Sequence, residues 1–185
     1  LGDSASLNDP NVGMYTNATN AVTNPLINSG TITVGKNAVG VYGFKETNSG
    51  NINAGDGAVA MYSKGGNVDL TGGTINVGKN EAVAVYTVGN GQKISNTGTS
   101  LNIGDTSFGF VNVGTGNKIV SSIANVGFGN KNVYVYSNDT TGFVINSTNI
   151  TSTGQENYGI YSAGTVTNSG TIDLSSGPGS VAIYS

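Results

Sequence analysis

The sequence contains no cysteine, histidine, tryptophan or arginine. Without thiols there is no disulfide framework, no thiolate metal site and no cysteine nucleophile. Without histidine the commonest general base and metal ligand is missing, so neither a metal site nor a cofactor is expected. Charge is scarce as well: 9% of the 185 residues carry it, against roughly a quarter in an ordinary soluble domain. The net charge of −3 and a pI near 4.6 argue against nucleic acid or an anionic membrane as a partner. No apolar run approaches the ~18 residues of a membrane span, and no window repeats apolar residues at the spacing of an amphipathic helix.

What remains is glycine, at 30 copies, with asparagine, threonine and serine between short runs of valine, isoleucine and tyrosine. Those runs are strand-like, and the chain reads as all-β. It also repeats itself. "NSGTITVGKNAVGVY" (28–42) returns as "NSGNINAGDGAVAMY" (48–62), "GGTINVGKNEAVAVY" (72–86), "NSTNITSTGQENYGIY" (146–161) and "NSGTIDLSSGPGSVAIY" (168–184). The closing aromatic falls at Tyr15, Tyr42, Tyr62, Tyr86, Tyr136, Tyr161 and Tyr184, with Val111 standing where the series needs another. Successive spacings are 27, 20, 24, 25, 25, 25 and 23 residues. A period in this range marks a solenoid. It is too short for a four-stranded propeller blade, and the leucine skeleton of a leucine-rich repeat is missing.

The fitting architecture is a parallel β-helix of seven to eight coils, about 25 residues each, with three short strands and three turns per coil. Parallel crossovers are almost always right-handed, so a right-handed helix is expected. Gly and Asn at the corners supply the positive φ that sharp turns require. Period-two alternation then assigns Val39 with Val41, Val59 with Met61, Val83 with Val85, Phe108 with Phe110, Val133 with Val135 and Val181 with Ile183 to the core. Ile32, Ile52, Ile75, Leu101, Ile150 and Ile172 make a second core column. Tyr42 and its equivalents then point outward as one stripe broken at Val111, each ring lying over the Gly or Ala two residues earlier, which accounts for the small size of that neighbour everywhere except at Tyr134. Such a stripe stiffens the sheet through cross-strand ring pairs and is also good contact surface for protein or glycan.

Three further patterns stand out. Five to seven residues before each closing position lie Lys36, Asp56, Lys79, Asp105, Lys131 and Glu156, alternating in sign from coil to coil; stacked, opposite charges attract and help set register. Asn28, Asn48, Asn96, Asn146 and Asn168 recur at one corner, where amides can hydrogen-bond along the rod. "TVGNGQKIS" (87–95) and "NVGTGNKIV" (112–120) place Lys93 over Lys118 beside glycine-rich turns, either as an anion site or as a repeated turn with solvated lysines. The ten carboxylates fall in different columns or are separated by lysine, and none forms the facing pair that glycoside hydrolysis uses. A non-enzymatic chain is expected.

The pairing of "NSG-x-I" with "[AS]-V-[GA]-[VI]-Y" over roughly residues 12–185 resembles the passenger-domain repeats of fusobacterial type V autotransporter adhesins, the RadD-like outer-membrane proteins. That resemblance implies a virulence-associated, surface-exposed β-helix, secreted through its own C-terminal outer-membrane barrel. Residues 1–185 would be a single uncapped segment of a longer passenger domain and monomeric as a fragment, since the chain opens without Met or signal peptide and stops in mid-phrase. The function so implied is adhesion to host or bacterial cells, as binding surface or rigid stalk, with a cell-surface protein or glycan as partner. The alternative on the same fold is a carbohydrate-active enzyme, pectate-lyase-like or glycosidase. Residues 86–136 depart from the repeat: "NTGTSL" carries an inserted residue, "SSIANV" lacks the turn, and Val111 replaces Tyr.

Overall fold

The computed structural model describes residues 1–17 and 25–185, and these described residues form 22 strands and no helix. Every third strand pairs in parallel, giving one sheet of eight strands and two of seven. The eight-stranded sheet runs from Val12–Tyr15 to Val181–Tyr184 and holds the closing strand of each repeat. One seven-stranded sheet runs from Leu26–Asn28 to Thr165–Asn168, the other from Thr31–Val34 to Ile172–Asp173. The result is a parallel β-solenoid of about 7 turns with ~24 residues per turn, as the repeat predicts. At strand spacing the eight-stranded sheet is roughly 35 Å tall.

The corners form where the sequence supplies turn residues. Before the eight-stranded sheet the chain passes through positive φ at Asn37, Gly57, Asn80, Glu81, Thr106, Lys131, Glu156 and Gly179. Backbone bonds run from each such corner to the next coil, for example Asn37 N–H to Asp56 O at 3.0 Å and Lys131 N–H to Gln155 O at 2.9 Å. At the start of the chain, Leu1–Ser4 lie against the first full coil: the Gly35 amide donates to Leu1 O and the Ser4 amide to Lys36 O.

Three inward surfaces meet in the core. The Thr31–Ile172 sheet contributes the expected column, with Ile32 pairing Ile52, Ile52 pairing Ile75, Ile75 pairing Leu101 and Ile150 pairing Ile172. The eight-stranded sheet contributes Val41, Met61, Val85, Phe110, Val135 and Ile160. The third contributes Val68, Ile94, Ile119 and Val144. Asparagines close the corner beyond: Asn28 Nδ2 donates to Asn48 Oδ1 at 2.7 Å and Asn146 Nδ2 to Asn168 Oδ1 at 2.8 Å. This ladder is interrupted, because Leu70 and Ser121 stand in the same column. A second amide ladder runs outside, from Asn102 to Asn76 to Asn53 at 2.5 and 2.6 Å.

Two core positions break their columns. Tyr134 is fully buried where other coils have Gly or Ala, and it tilts against Phe110 at 5.3 Å. Its hydroxyl meets Ser121 Oγ at 2.7 Å, and Ser121 Oγ meets Thr148 Oγ1 at 2.6 Å. The serine that interrupts the asparagine column thus receives the phenol, and burial pushes the phenol pKa up to about 12. Glu46 stands in an aliphatic column between Leu26 and Val68. It is fully buried and neither carboxylate oxygen has a hydrogen-bond partner. Burial raises its pKa well above the ordinary carboxylate value, and the nearby Gly43 backbone opposes that only in part. Asp139 is handled differently: burial would raise it, but bonds from the Asn117 amide, the Thr141 hydroxyl and the Thr141 and Gly142 amides hold it low.

Two stability predictions follow from these outliers. Tyr134→Phe should cost about 1 kcal/mol, the net worth of one buried hydrogen bond, whereas Tyr134→Ala should cost ~3–5 kcal/mol through the cavity it leaves. Urea unfolding measures both. For Glu46 the folded pKa lies above the unfolded one, so both states hold the proton below about pH 4.3. Above that the unfolded state releases its proton first, and the stability this group supplies is lost as pH rises through its folded pKa. Glu46→Val should therefore stabilise the protein at pH 7 by about 1–3 kcal/mol. The gain over wild type should shrink towards pH 4 in paired urea titrations; a gain independent of pH would show that Glu46 is not held protonated.

Candidate functional site: the aromatic strip

On the eight-stranded sheet the ladder passes over one residue per strand. Val39 pairs Val59 and Val41 pairs Met61, while Gly40 and Ala60 have no Cα partner between them. The small residue and the one after it both turn inward: Ala60 and Ala84 join Met61 and Val85 in the core. A Cβ on Gly40 would stand 2.5 Å from the Ala60 carbonyl oxygen and 3.0 Å from Ile52 Cγ2. The position is therefore small because it is squeezed between coils, not because a tyrosine lies over it.

This inverts the face of the residue before it. Val39, Val59 and Val83, expected in the core beside Val41, Met61 and Val85, belong to a separate outer cluster with Val12, Tyr42, Tyr62, Tyr86, Phe108, Val111, Val113 and Tyr136. The register carries Val133 and Val181 into that outer column as well. The core assignment is corrected for this column alone; the tyrosines point outward as expected. Their rings cover the valines, which is why Val39 and Val59 are buried on an outer face.

The rings form two ladders. Tyr15, Tyr42, Tyr62 and Tyr86 stack with centroids 5.5, 5.1 and 5.2 Å apart. Tyr136, Tyr161 and Tyr184 stack at 5.2 and 4.8 Å. Interior rings are half-buried, while Tyr15 and Tyr184 at the ends are 61% and 54% exposed. Burial raises the Tyr62 pKa, helped by the flanking Tyr86 and Tyr42. At the break, Phe108 replaces the outer valine and meets Tyr136 edge-on at 6.4 Å; Tyr158 does the same to Tyr161 at 6.0 Å. Two open depressions flank the first ladder. One, of about 420 Å³, lies where Leu7 and Pro10 reach Tyr15 and Tyr42. The other, of about 530 Å³, lies at Val111.

The remaining candidates fall out as follows. Of the five successive steps from Lys36 to Glu156, Lys79–Asp105 at 3.9 Å and Lys131–Glu156 at 3.5 Å come to ion-pair distance. Coil-to-coil contact at this corner is carried instead by carboxylates that accept backbone amides: Asp3 from Lys36, Asp56 from Lys79 and Asp105 from Asn130, at 2.8–2.9 Å. Lys131 and Glu156 occupy the next corner position, where Asn37 and Thr106 stand in other coils. Lys93 does pair Lys118. However, the amides of Gly89, Gly91, Thr115 and Gly116 are engaged with neighbouring coils, so the glycine turns offer no converging donors for an anion. Asn96 bonds within its own turn, to Thr99 and Gly98, rather than along the rod.

Sequence reasoning missed the outer valine column, on which the tyrosine rings rest. The signal was Phe108 and Tyr158, two aromatics at a position otherwise held by valine. In comparisons with known proteins, no family model, curated protein or solved structure matches the chain.

Removing one interior ring should weaken the ladder measurably. Tyr62→Ser deletes two stacked pairs, each contributing about 0.2–1 kcal/mol, and uncovers Val39 and Val59. A loss of about 1–2 kcal/mol in urea unfolding is expected; a neutral substitution would mean the stack contributes nothing.

Proposed function

We propose that this chain is an adhesive segment of a rod displayed on a bacterial cell surface, which contacts a protein or glycan of a partner cell through the aromatic strip. The observation that carries this reading is the difference between the outer faces. The outer positions of the Thr31–Ile172 sheet are Thr, Asn, Ser and Gly with Asp173 at the end, as in the registers Thr33–Asn53–Asn76 and Thr151–Asp173. Those of the Leu26–Asn168 sheet are mixed, the column Ile27–Thr47–Asp69–Ser95–Val120–Ile145 interleaving apolar and polar residues beside Lys93 and Lys118. The eight-stranded sheet instead presents a column of tyrosine rings along its height, resting on a column of Val, Phe108 and Tyr158. Contiguous apolar surface of that extent marks an interaction site. Tyrosines fixed by stacking lose little freedom on binding, which favours affinity, and their hydroxyls remain available to a polar partner.

The resemblance to fusobacterial autotransporter passengers supplies the setting: a rod anchored through an outer-membrane barrel and engaged in adhesion. We favour binding over carbohydrate-active catalysis because, among the described residues, the depression at Val111, the one at Phe128 and the one at Lys36 hold a single carboxylate each, Glu81, Asp173 and Asp56, whereas glycoside hydrolysis uses a facing pair. The test is binding of labelled protein to candidate partner cells. The triple variant Tyr62→Ser, Tyr86→Ser, Tyr136→Ser should bind at least about tenfold more weakly, as expected when central aromatic anchors are lost, while its circular dichroism stays that of a folded β-protein. Full binding by the folded triple variant would overturn the assignment.

A further inference from the structure

The break in the ring ladder has the dimensions of one ring. Tyr86 has one face against Tyr62 and the other turned to the coil of Val111. Tyr136 has one face against Tyr161 and meets Phe108 in a T-shaped contact at 6.4 Å, with no ring stacked on it from the coil of Val111. Val111 pairs with both tyrosines, so they stand two strand steps apart, roughly 10 Å. A ring placed midway would lie about 5 Å from each, within the centroid range of favourable ring contacts and close to the 4.8–5.5 Å of the ladder itself. The depression there, about 530 Å³, is of the size of small-molecule sites.

Its chemistry narrows the occupant. The walls are two tyrosine faces, the floor is Phe108 and the valines, and the polar groups at the rim are Glu81 and Asn138. No hydrogen bond or ion pair within the protein engages either of those side chains among the described residues, and no lysine lines the depression. The site thus offers apolar contact on two opposite faces and hydroxyl-binding groups, one of them an acceptor carboxylate, at the edge. We infer that the rung left open at Val111 binds a neutral, all-equatorial pyranose ring of the β-gluco type, sandwiched between Tyr86 and Tyr136. Such a sugar presents axial C–H bonds on both faces and hydroxyls around its edge. An axial hydroxyl would push a polar group onto one of the tyrosine faces. Glu81, before the start of its strand, and Asn138, past the end of its own, lie at opposite ends of the gap and receive hydroxyls of the units that flank the sandwiched ring in a β-linked chain. An aromatic side chain would fill the same gap but leave both rim groups unused.

The site deepens the adhesive reading, on which its biological use rests, and the test separates the two. Wild-type protein is titrated by NMR with cellotetraose, with a β-1,4-linked mannotetraose, whose 2-hydroxyls are axial, and with N-acetyltyrosinamide, up to tens of millimolar. Val111→Tyr completes the ladder with the residue other coils use. Cellotetraose should bind saturably with shifts centred on Tyr86, Tyr136 and Val111, and the other two probes at least about tenfold more weakly, a difference of ~1.4 kcal/mol. Val111→Tyr should lower cellotetraose affinity by a similar factor without loss of melting temperature. If that variant does not fold, the surface pair Glu81→Ala and Asn138→Ala carries the test and should weaken binding several-fold. No saturable binding, equal binding by the folded Val111→Tyr or by the rim pair, or tighter binding of N-acetyltyrosinamide overturns the inference. Cell binding that survives Val111→Tyr but not the triple tyrosine variant would overturn the rung as the adhesive contact and leave the strip standing. Cellotetraose binding lost in Val111→Tyr, with cell binding indifferent to every tyrosine, would keep the rung and overturn the strip.

Discussion

Everything in this rod depends on parallel, in-register pairing of each coil with the next. At a spacing of about 4.8 Å, the nearest neighbour of a side chain is its own counterpart one coil away. A position is therefore filled well only by a residue that tolerates itself. Isoleucine on isoleucine fills the core, tyrosine on tyrosine makes a ladder, and asparagine on asparagine closes a hydrogen bond. Like charges fail this condition, which accounts for a chain only 9% charged. Where lysine does stack on lysine, at Lys93 and Lys118, the side chains lie on the outer face.

The exceptions show how such a column absorbs a foreign residue. Tyr134 is accommodated because Ser121 shortens the neighbouring column and shares a hydrogen bond with its hydroxyl. The Val111 coil is accommodated by enlarging the outer valine to Phe108, whose ring packs in a T-shaped contact with Tyr136 of the next coil. Glu46 receives no such compensation: neither carboxylate oxygen is hydrogen-bonded, and burial holds its pKa above the ordinary carboxylate range. Tyr134 and Ser121 are 13 residues apart in sequence and Phe108 meets Tyr136 of the next coil, so such pairs become visible only once the coil register is known.

The period, the three strands per coil, the glycine and asparagine corners, the isoleucine column and the outward tyrosines were all legible from the repeat, because each rests on local chemistry repeated at least five times. The face of Val39 and its equivalents was not. Alternation assumes an unbroken ladder, and one skipped residue inverts every side chain before it while leaving those after it in place. The smallness of residue 40 and its counterparts was the trace of that skip, and it admitted a second explanation in an overlying ring. The charge column failed differently: counting back five to seven residues from the tyrosine merged two adjacent corner positions, Asp105 belonging to one and Lys131 to the other.

The placement of the tyrosine ladder outside the core, across that skipped residue, is the claim on which the strip and its open rung both stand. Nuclear Overhauser contacts among aromatic and methyl protons test it most directly in a chain of 18.6 kDa. Tyr62 ring protons should show contacts to the rings of Tyr42 and Tyr86 and to the methyls of Val39 and Val59, and none to Ile52 or Ile75. Contacts from Tyr62 to those isoleucines would place the rings in the core and contradict the account.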